Sequence, residues 1–115
     1  MIIELPFPPA SLSGHANGRH WAGKSAVTKE HRRWAWSAAK EAKIKKQPPG
    51  DIRIHVRFEP PNRRGDRTNF ANRMKPYFDG IAEAMGVNDA RFLPSYEYGE
   101  PHEHGRVLIT IGDEI

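Results

Sequence analysis

The sequence predicts an α+β domain in which a small mixed β-sheet carries two packed helices, in the order β-α-β-α-β-β. The first observation behind this prediction is the segment DIRIHVRFEP, residues 51–60, whose apolar and polar residues alternate as in a half-buried strand. The second is the segment MKPYFDGIAEAM, residues 74–85, whose apolar residues recur at helical spacing. The third is a pair of strand-like segments near the end, RFLPSYEYG and RVLITIGD, joined by the polar loop EPHEHG.

The remaining elements follow from local signals along the chain. MIIELPF predicts a first strand that the Pro8-Pro9 pair stops, and residues 10–26 carry the composition of a loop, long enough to be a contact surface. Thr28 is a candidate N-cap for a first helix through KEHRRWAWSAAKEAKIKK, which QPPGD ends. Gly86 is a candidate C-cap of the second helix, and Pro76 is expected near its start because a deeper proline would kink it.

Length and composition indicate one globular domain over residues 1–115. The chain is 37% apolar, and no run approaches the roughly 18 to 20 apolar residues that a membrane span needs. The start of the chain lacks the pattern of a signal peptide, and the absence of cysteine excludes disulfides and thiolate metal sites. We therefore expect a cytoplasmic protein with no membrane partner and no small-molecule cofactor.

Charge is distributed unevenly along the chain. The net charge is +4, but residues 15–58 contain 11 basic and 3 acidic side chains. Lysine and arginine at this density favour a polyanionic partner such as a nucleic acid, because they displace the counterions condensed on its backbone. A solvated helix face is the alternative explanation, and charge alone does not separate the two.

Polar residues that suit a metal site stand where the second predicted strand leads into the second helix. These are Asp66, Asn69, Lys75 and Asp79, with Asp89 following the helix. Carboxylates at element ends can converge, and oxygen ligands without cysteine suit a hard cation such as Mg²⁺. Each residue also has a simpler interpretation: Asp66 as a turn residue, Lys75 and Asp79 as an i,i+4 ion pair, and Asp89 as a cap.

Basic residues surround these carboxylates. Together with a bound metal they would hold a phosphodiester and stabilise the charge that develops during its hydrolysis. The candidate DNA-binding residues are Arg19, Lys24, Arg63, Arg64, Arg67 and Arg73.

Several short motifs, in order over nearly the whole chain, resemble the RusA family of Holliday-junction resolvases. They are LPFPPASL, the Gly-Arg of ANGRHW, the Arg-Arg loop, DRTN, KPYFDGI and GVNDARF. The resemblance implies a RusA-like fold and a Mg²⁺-dependent endodeoxyribonuclease, with Mn²⁺ as a substitute. It also implies a homodimer that resolves four-way junctions by paired nicks in DNA recombination and repair.

The family pattern assigns roles to individual residues. Asp66 takes the place of the first metal-binding Asp and Asn69 that of the family Asn. Lys75 takes the place of the catalytic Lys and Asp89 that of the last carboxylate, so the resemblance implies Asp66, Asp89 and Lys75 as catalytic residues. Asn69 and Asp79 would support them.

This sequence departs from the family pattern at two positions. Thr68 stands where the family has its second Asp, and Asn88 stands where an acidic residue often precedes the last carboxylate. Thr68 would then fill out the metal site of Asp66 and Asp89 through a neutral oxygen, and each lost carboxylate weakens Mg²⁺ binding. The alternative is a junction- or duplex-binding protein whose cleavage is weak or lost.

Overall fold

The computed structural model describes residues 2–12 and 21–112, with the side chains of residues 21–24 left aside. Four strands and two α-helices follow one another in the predicted order β-α-β-α-β-β. Their bounds are β1 Ile2–Pro6, α1 Trp21–Ala42, β2 Ile52–Glu59, α2 Lys75–Met85, β3 Phe92–Tyr98 and β4 Arg106–Ile111. Short 3₁₀ turns lie at Ala10–Leu12, Arg67–Asn69, Ala71–Arg73 and Asp89–Arg91. The α+β class is confirmed.

The strands form one mixed sheet in the order β1-β4-β2-β3. β4 pairs antiparallel with both β1 and β2, whereas β2 and β3 are parallel, with Ile52 opposite Phe92 and Phe58 opposite Tyr98. A parallel pair needs a crossover connection, and α2 provides it. β3 and β4, although consecutive in the sequence, therefore lie on opposite sides of β2.

The core lies between one face of this sheet and the two helices. The predicted alternation of β2 is confirmed, since Ile52, Ile54, Val56 and Phe58 are all buried. Residues of the other strands and of α2 complete the core: Ile3, Leu5, Tyr77, Ile81, Val107 and Ile109. The opposite face of the sheet is polar, as the sequence pattern of β2 indicates.

The first helix differs from the sequence prediction at both ends. α1 begins at Trp21, so Thr28 lies inside the helix and the N-cap prediction at that residue is wrong. The sequence predicts a loop over residues 21–26, yet their alanines and lysine are good helix formers, and a threonine is only a weak start signal. The helix ends at Ala42, four residues early, because Lys43 adopts a left-handed φ of 52°.

The second helix is close to its prediction. Pro76 lies in the first turn, where its missing N–H disturbs no helical hydrogen bond, and Gly86 ends the helix with a φ of 69°. Gly80 faces α1 so closely that a Cβ there would stand 2.2 Å from the carbonyl oxygen of Arg32. In the described residues, neither helix has the length and apolar character needed to cross a membrane.

Candidate functional site

An ion cluster joins the start of α2 to the turn that follows it. Lys75 opens the helix, and its Nζ lies 3.0 Å from Oδ1 of Asp79, one turn further on. The same ammonium contacts Oδ2 of Asp89, which comes from the turn after the helix. Two carboxylates from different elements therefore converge on one cationic group, and the i,i+4 pair of the sequence analysis is present as part of a larger cluster.

The turn between α2 and β3 places Asp89 in this cluster. Gly86 ends the helix, and the chain then turns back along it. The side chain of Asn88 accepts a hydrogen bond from the backbone N–H of Ala90 at 2.9 Å, which makes Asn88 the cap of the 3₁₀ turn Asp89–Arg91. The interpretation of Asp89 as the capping residue is thus wrong, and its carboxylate is directed to Lys75 instead.

The cluster is charged and partly open to solvent. The hydrogen bond from Lys75 lowers the pKa of the Asp89 carboxyl, and the hydrogen bonds to Asp89 and then Asp79 raise the pKa of Lys75. Both members of the pair are therefore ionised at neutral pH. The side chains of Asp79 and Asp89 are 30% and 34% exposed, so a ligand from solvent can reach them.

A groove of about 390 Å³ opens beside these two carboxylates. Glu83 and Arg32 form part of its wall, with the Arg32 Nη2 atom 3.1 Å from Oε2 of Glu83. The lining thus contains three acidic side chains and one arginine that is already paired. An acidic, open groove of this kind is suited to a cation.

Asp66 belongs to a separate turn. It caps the 3₁₀ turn Arg67–Asn69, and its Oδ1 accepts hydrogen bonds from the Thr68 backbone N–H at 2.9 Å and from the Thr68 hydroxyl at 2.6 Å. The hydroxyl bond, followed by the backbone bond, lowers the pKa of Asp66. Among the ion pairs of residues 2–12 and 21–112, none joins Asp66 to a neighbouring arginine. The turn-residue interpretation of Asp66 is confirmed.

The structure therefore brings the candidate residues together in two groups. Lys75, Asp79 and Asp89 form one group, and Asp66 with Thr68 forms the other. In the described part of the chain no hydrogen bond links the two groups, and no three acidic or histidine side chains are gathered closely enough to hold a metal on their own. The Asn69 backbone N–H donates to the Asp66 carbonyl at 3.0 Å, which ties Asn69 to the second group.

The candidate DNA-binding arginines differ from one another in their surroundings. Arg63 pairs with Glu100 at 2.5 Å on the surface, whereas Arg64 and Arg67 are exposed in the same loop. Arg73 is half-buried, with its guanidinium 5.1 Å from the centre of the Phe70 ring. Two further candidates fall outside what is described, Arg19 entirely and Lys24 in its side chain.

The outer face of the sheet carries a charged network that the sequence patterns do not predict. Glu59 is buried at its centre and accepts hydrogen bonds from Arg57 at 2.8 Å and from Arg106 at 2.6 Å. Arg57 also contacts Glu97 on β3, and Arg106 contacts Glu4 on β1, so the network crosses all four strands. The polar residues at alternate positions of β2 indicate that this face is exposed. Which charged residues pair across the strands cannot be predicted from that pattern, because the pairing depends on the strand order.

The fold and its sites define a small α+β protein with a basic loop and an acidic groove beside a lysine. No protein-family model matches the chain. It is 36% identical over 115 aligned residues to an uncharacterized protein of Xylella fastidiosa (strain Temecula1 / ATCC 700964), an alignment that covers 95% of the chain and 74% of that protein. The chain belongs to the same family as this Xylella protein.

Proposed function

We propose that this protein is a RusA-like, Mg²⁺-dependent endodeoxyribonuclease that resolves Holliday junctions by paired nicks. The observation that carries the proposal is the convergence of Lys75, Asp79 and Asp89 from α2 and the following turn. The motifs KPYFDGI and GVNDARF, which resemble the RusA family, contribute these three residues. A lysine beside carboxylates in an open groove has the chemistry that phosphodiester hydrolysis needs.

The donor set of the groove suits Mg²⁺. Magnesium keeps several water ligands and is usually bound through one or two carboxylates together with substrate phosphates, so Asp79 and Asp89 would hold it jointly with the DNA phosphate. Their oxygens converge on the Lys75 ammonium, and this clustering of negative charge supports the proposal of a cation site. The resemblance adds Asp66 and Thr68 as ligands, and the Asp66 Oδ2 atom has no hydrogen bond among the described residues.

Each residue has a defined task in the proposed reaction. A bound Mg²⁺ would supply a Lewis acid that activates water and stabilises charge on the phosphate. Asp79 and Asp89 would hold that ion. Lys75, which its partners keep protonated, would move from the carboxylates to the scissile phosphate or the leaving oxygen. Asn69 would support the Asp66 turn.

DNA binding is assigned to the basic residues and to a homodimer. Arg63, Arg64 and Arg67 lie in the exposed loop between β2 and α2, which leads directly to Lys75. Arginines in such a loop position DNA through its phosphates and recognise shape more than sequence. A two-fold dimer with one site per subunit matches a four-way junction, which is resolved by two symmetric nicks.

The second candidate function is junction or duplex binding with weak or lost cleavage. The specific observation in its favour is that Thr68 stands in place of a second carboxylate and that its hydroxyl donates a hydrogen bond to Asp66 Oδ1. Thr68→Asp removes this donor and restores the family's acid. If the metal site includes this turn, the variant should need less Mg²⁺ for half-maximal nicking, and an unchanged or higher Mg²⁺ requirement would place the cation elsewhere.

The decisive experiment compares nicking and binding of a four-way junction and a matched linear duplex in Mg²⁺, Mn²⁺ and chelator. Asp89→Asn should abolish nicking while junction binding stays equal or becomes tighter, because an anion facing DNA has been removed. Glu103→Gln, an exposed acid in the β3–β4 loop, is the matched control and should nick normally.

Three other outcomes have clear meanings. Junction-selective binding without nicking at any Mg²⁺ or Mn²⁺ concentration would favour the binding protein. Normal nicking by Asp89→Asn would show that the cluster is not the catalytic site. Equal affinity for junction and duplex would contradict structure selectivity.

A further inference from the structure

A second cavity lies beside the loop between β2 and α2, close to the ends of β1 and β2. Its volume is about 310 Å³, and its walls include the two proline pairs Pro8-Pro9 and Pro60-Pro61. Pro60-Pro61 directly follows β2, and Pro8-Pro9 follows β1 after one intervening residue. The two strands run in the same direction on either side of β4, which brings the prolines to the same end of the sheet. It shares no lining residue with the groove at Asp79 and Asp89.

The described lining of this cavity is cationic and contains no acid. Its charged or titratable side chains are Arg64, Arg73 and His104, and Asn62 adds a neutral polar group. The rest of the wall consists mainly of proline and phenylalanine rings. This combination selects an anion that is attached to a flat or ring-shaped apolar group, and it disfavours a cation or a basic peptide.

Arg73 is the residue that most directly indicates an anion. Its guanidinium packs 5.1 Å from the centre of the Phe70 ring and 5.9 Å from that of Phe7, and its Nη1 donates to the Pro8 carbonyl at 3.2 Å. Nε is buried and has no hydrogen-bond partner among the described residues. Burial also lowers the pKa of Arg73, which expresses the cost of holding its charge away from water.

The other half-buried arginines of the described chain are satisfied. Arg57 and Arg106 are both paired with Glu59, and Arg91 donates to two backbone carbonyls. Within residues 2–12 and 21–112, Arg73 has a single carbonyl partner and no carboxylate partner. Partial burial of a cation without a counterion is unfavourable, and a ligand at this cavity wall that supplied negative charge would offset that cost.

We infer that this cavity binds the phosphate group of an unpaired nucleotide, with Arg73 on the phosphate and the Phe7 and proline rings against the sugar or base. A guanidinium held by two rings presents its remaining N–H groups in a fixed orientation, which is the geometry that phosphate binding favours. The volume is at the low end for small-molecule pockets, enough for one such group, whereas duplex DNA cannot enter. The inference rests on the proposed function only for the source of the nucleotide, a DNA strand.

The test titrates the full chain with thymidine 5′-monophosphate, thymidine and inorganic phosphate, by calorimetry and by amide NMR. Thymidine monophosphate should bind at least about tenfold more tightly than thymidine, since a charged hydrogen-bonded phosphate contributes at least 1.4 kcal/mol. Saturable shifts should be confined to amides at the cavity, such as Gly65, Phe70 and His104. Equal binding of thymidine, no binding of any probe, or shifts spread over the basic surface would overturn the inference.

Two arginine variants and a control locate the phosphate contact. Arg73→Gln should weaken thymidine monophosphate at least about tenfold, and the exposed Arg64→Gln should weaken it about two- to threefold. Arg53→Gln, on the exposed face of β2, should leave the affinity unchanged. Unchanged affinity in Arg73→Gln overturns the inference. If Arg73→Gln does not fold, the NMR map of the unaltered protein together with Arg64→Gln decides.

Single-stranded and free nucleotides are separated by two further probes. A 5′-phosphorylated tetrathymidylate that binds more tightly than the mononucleotide indicates a DNA strand, whereas equal or weaker binding indicates a free nucleotide, and both retain the phosphate site. A linear duplex that produces the same shifts would overturn the requirement for an unpaired nucleotide. Junction nicking reports separately on the proposed function, because the mononucleotide titration needs no cleavage and the Asp89→Asn variant should still bind the mononucleotide.

Discussion

Gly80→Ala tests the packing that holds α2, and with it Lys75 and Asp79, against the rest of the fold. Gly80 lies in the middle of α2 on the side that meets α1. Alanine is the better helix former, so helix propensity alone predicts a gain of about 1 kcal/mol. The structure predicts a loss instead, which makes the sign of the effect informative.

The magnitude follows from the space around Gly80. A Cβ there would lie 2.2 Å from the Arg32 carbonyl oxygen and 3.0 Å from the Trp36 backbone nitrogen. Close carbon–oxygen contacts in proteins are about 3.3 to 3.6 Å, so α2 would have to retreat by about 1 Å. The obstacle is helix backbone that cannot rotate away, so the cost is about 3 kcal/mol, the upper end for overpacking. After the propensity gain, a net loss of about 2 kcal/mol remains.

Urea denaturation followed by circular dichroism measures this loss. The midpoint should fall by about 1 M at an unchanged slope, as expected for a chain of this size. Ser37→Ala, an exposed small-residue change in α1, is the control and should leave the midpoint unchanged or slightly higher. A midpoint that rises in Gly80→Ala would show that the helices are not in contact at this point, and the described position of α2 would be wrong.

Three further predictions concern charge and assembly. Glu59→Gln should lower the free energy of unfolding by about 1 kcal/mol at pH 7, a modest loss because its two arginine partners are partly exposed. Because the arginine hydrogen bonds lower the pKa of Glu59, this loss should shrink as the pH falls below about 4.3. An equal loss at pH 7 and pH 3, or a similar loss in the exposed Glu30→Gln, would contradict this prediction. Arg19→Ala and Lys24→Ala should each flatten the dependence of log DNA affinity on log salt by about one unit, and unchanged binding in both would remove this segment from the interface. Sedimentation at micromolar concentration should give twice the chain mass of 13.1 kDa, whereas a strict monomer would contradict paired nicking by a preassembled dimer.

Local patterns in the sequence predicted most of the elements but not their arrangement. The alternation of β2 and the helical spacing of α2 succeeded because each records burial of one face, and Gly86 succeeded because a left-handed C-cap favours glycine. The start of α1 was missed because its first residues lack a periodic apolar pattern. The position of β4 between β1 and β2 depends on long-range pairing that no local pattern contains.

The contacts of the candidate site also differ in whether local spacing or long-range structure determines them. The contact of Lys75 with Asp79 follows from i,i+4 spacing, whereas the contact with Asp89 depends on the return of the chain after Gly86 and was indicated only by the order of motifs. Asp66 and Thr68, which are close in sequence, form a hydrogen bond with each other, so the acids that resemble the RusA pattern are divided between a turn and an ion cluster. A cation bound between the turn and the ion cluster would have to replace the hydrogen bond from Thr68 to Asp66 and the contacts of Lys75 with its carboxylates. For this reason, if the proposed nicking reaction takes place, the Mg²⁺ concentration that Thr68→Asp needs would report on both parts of the site.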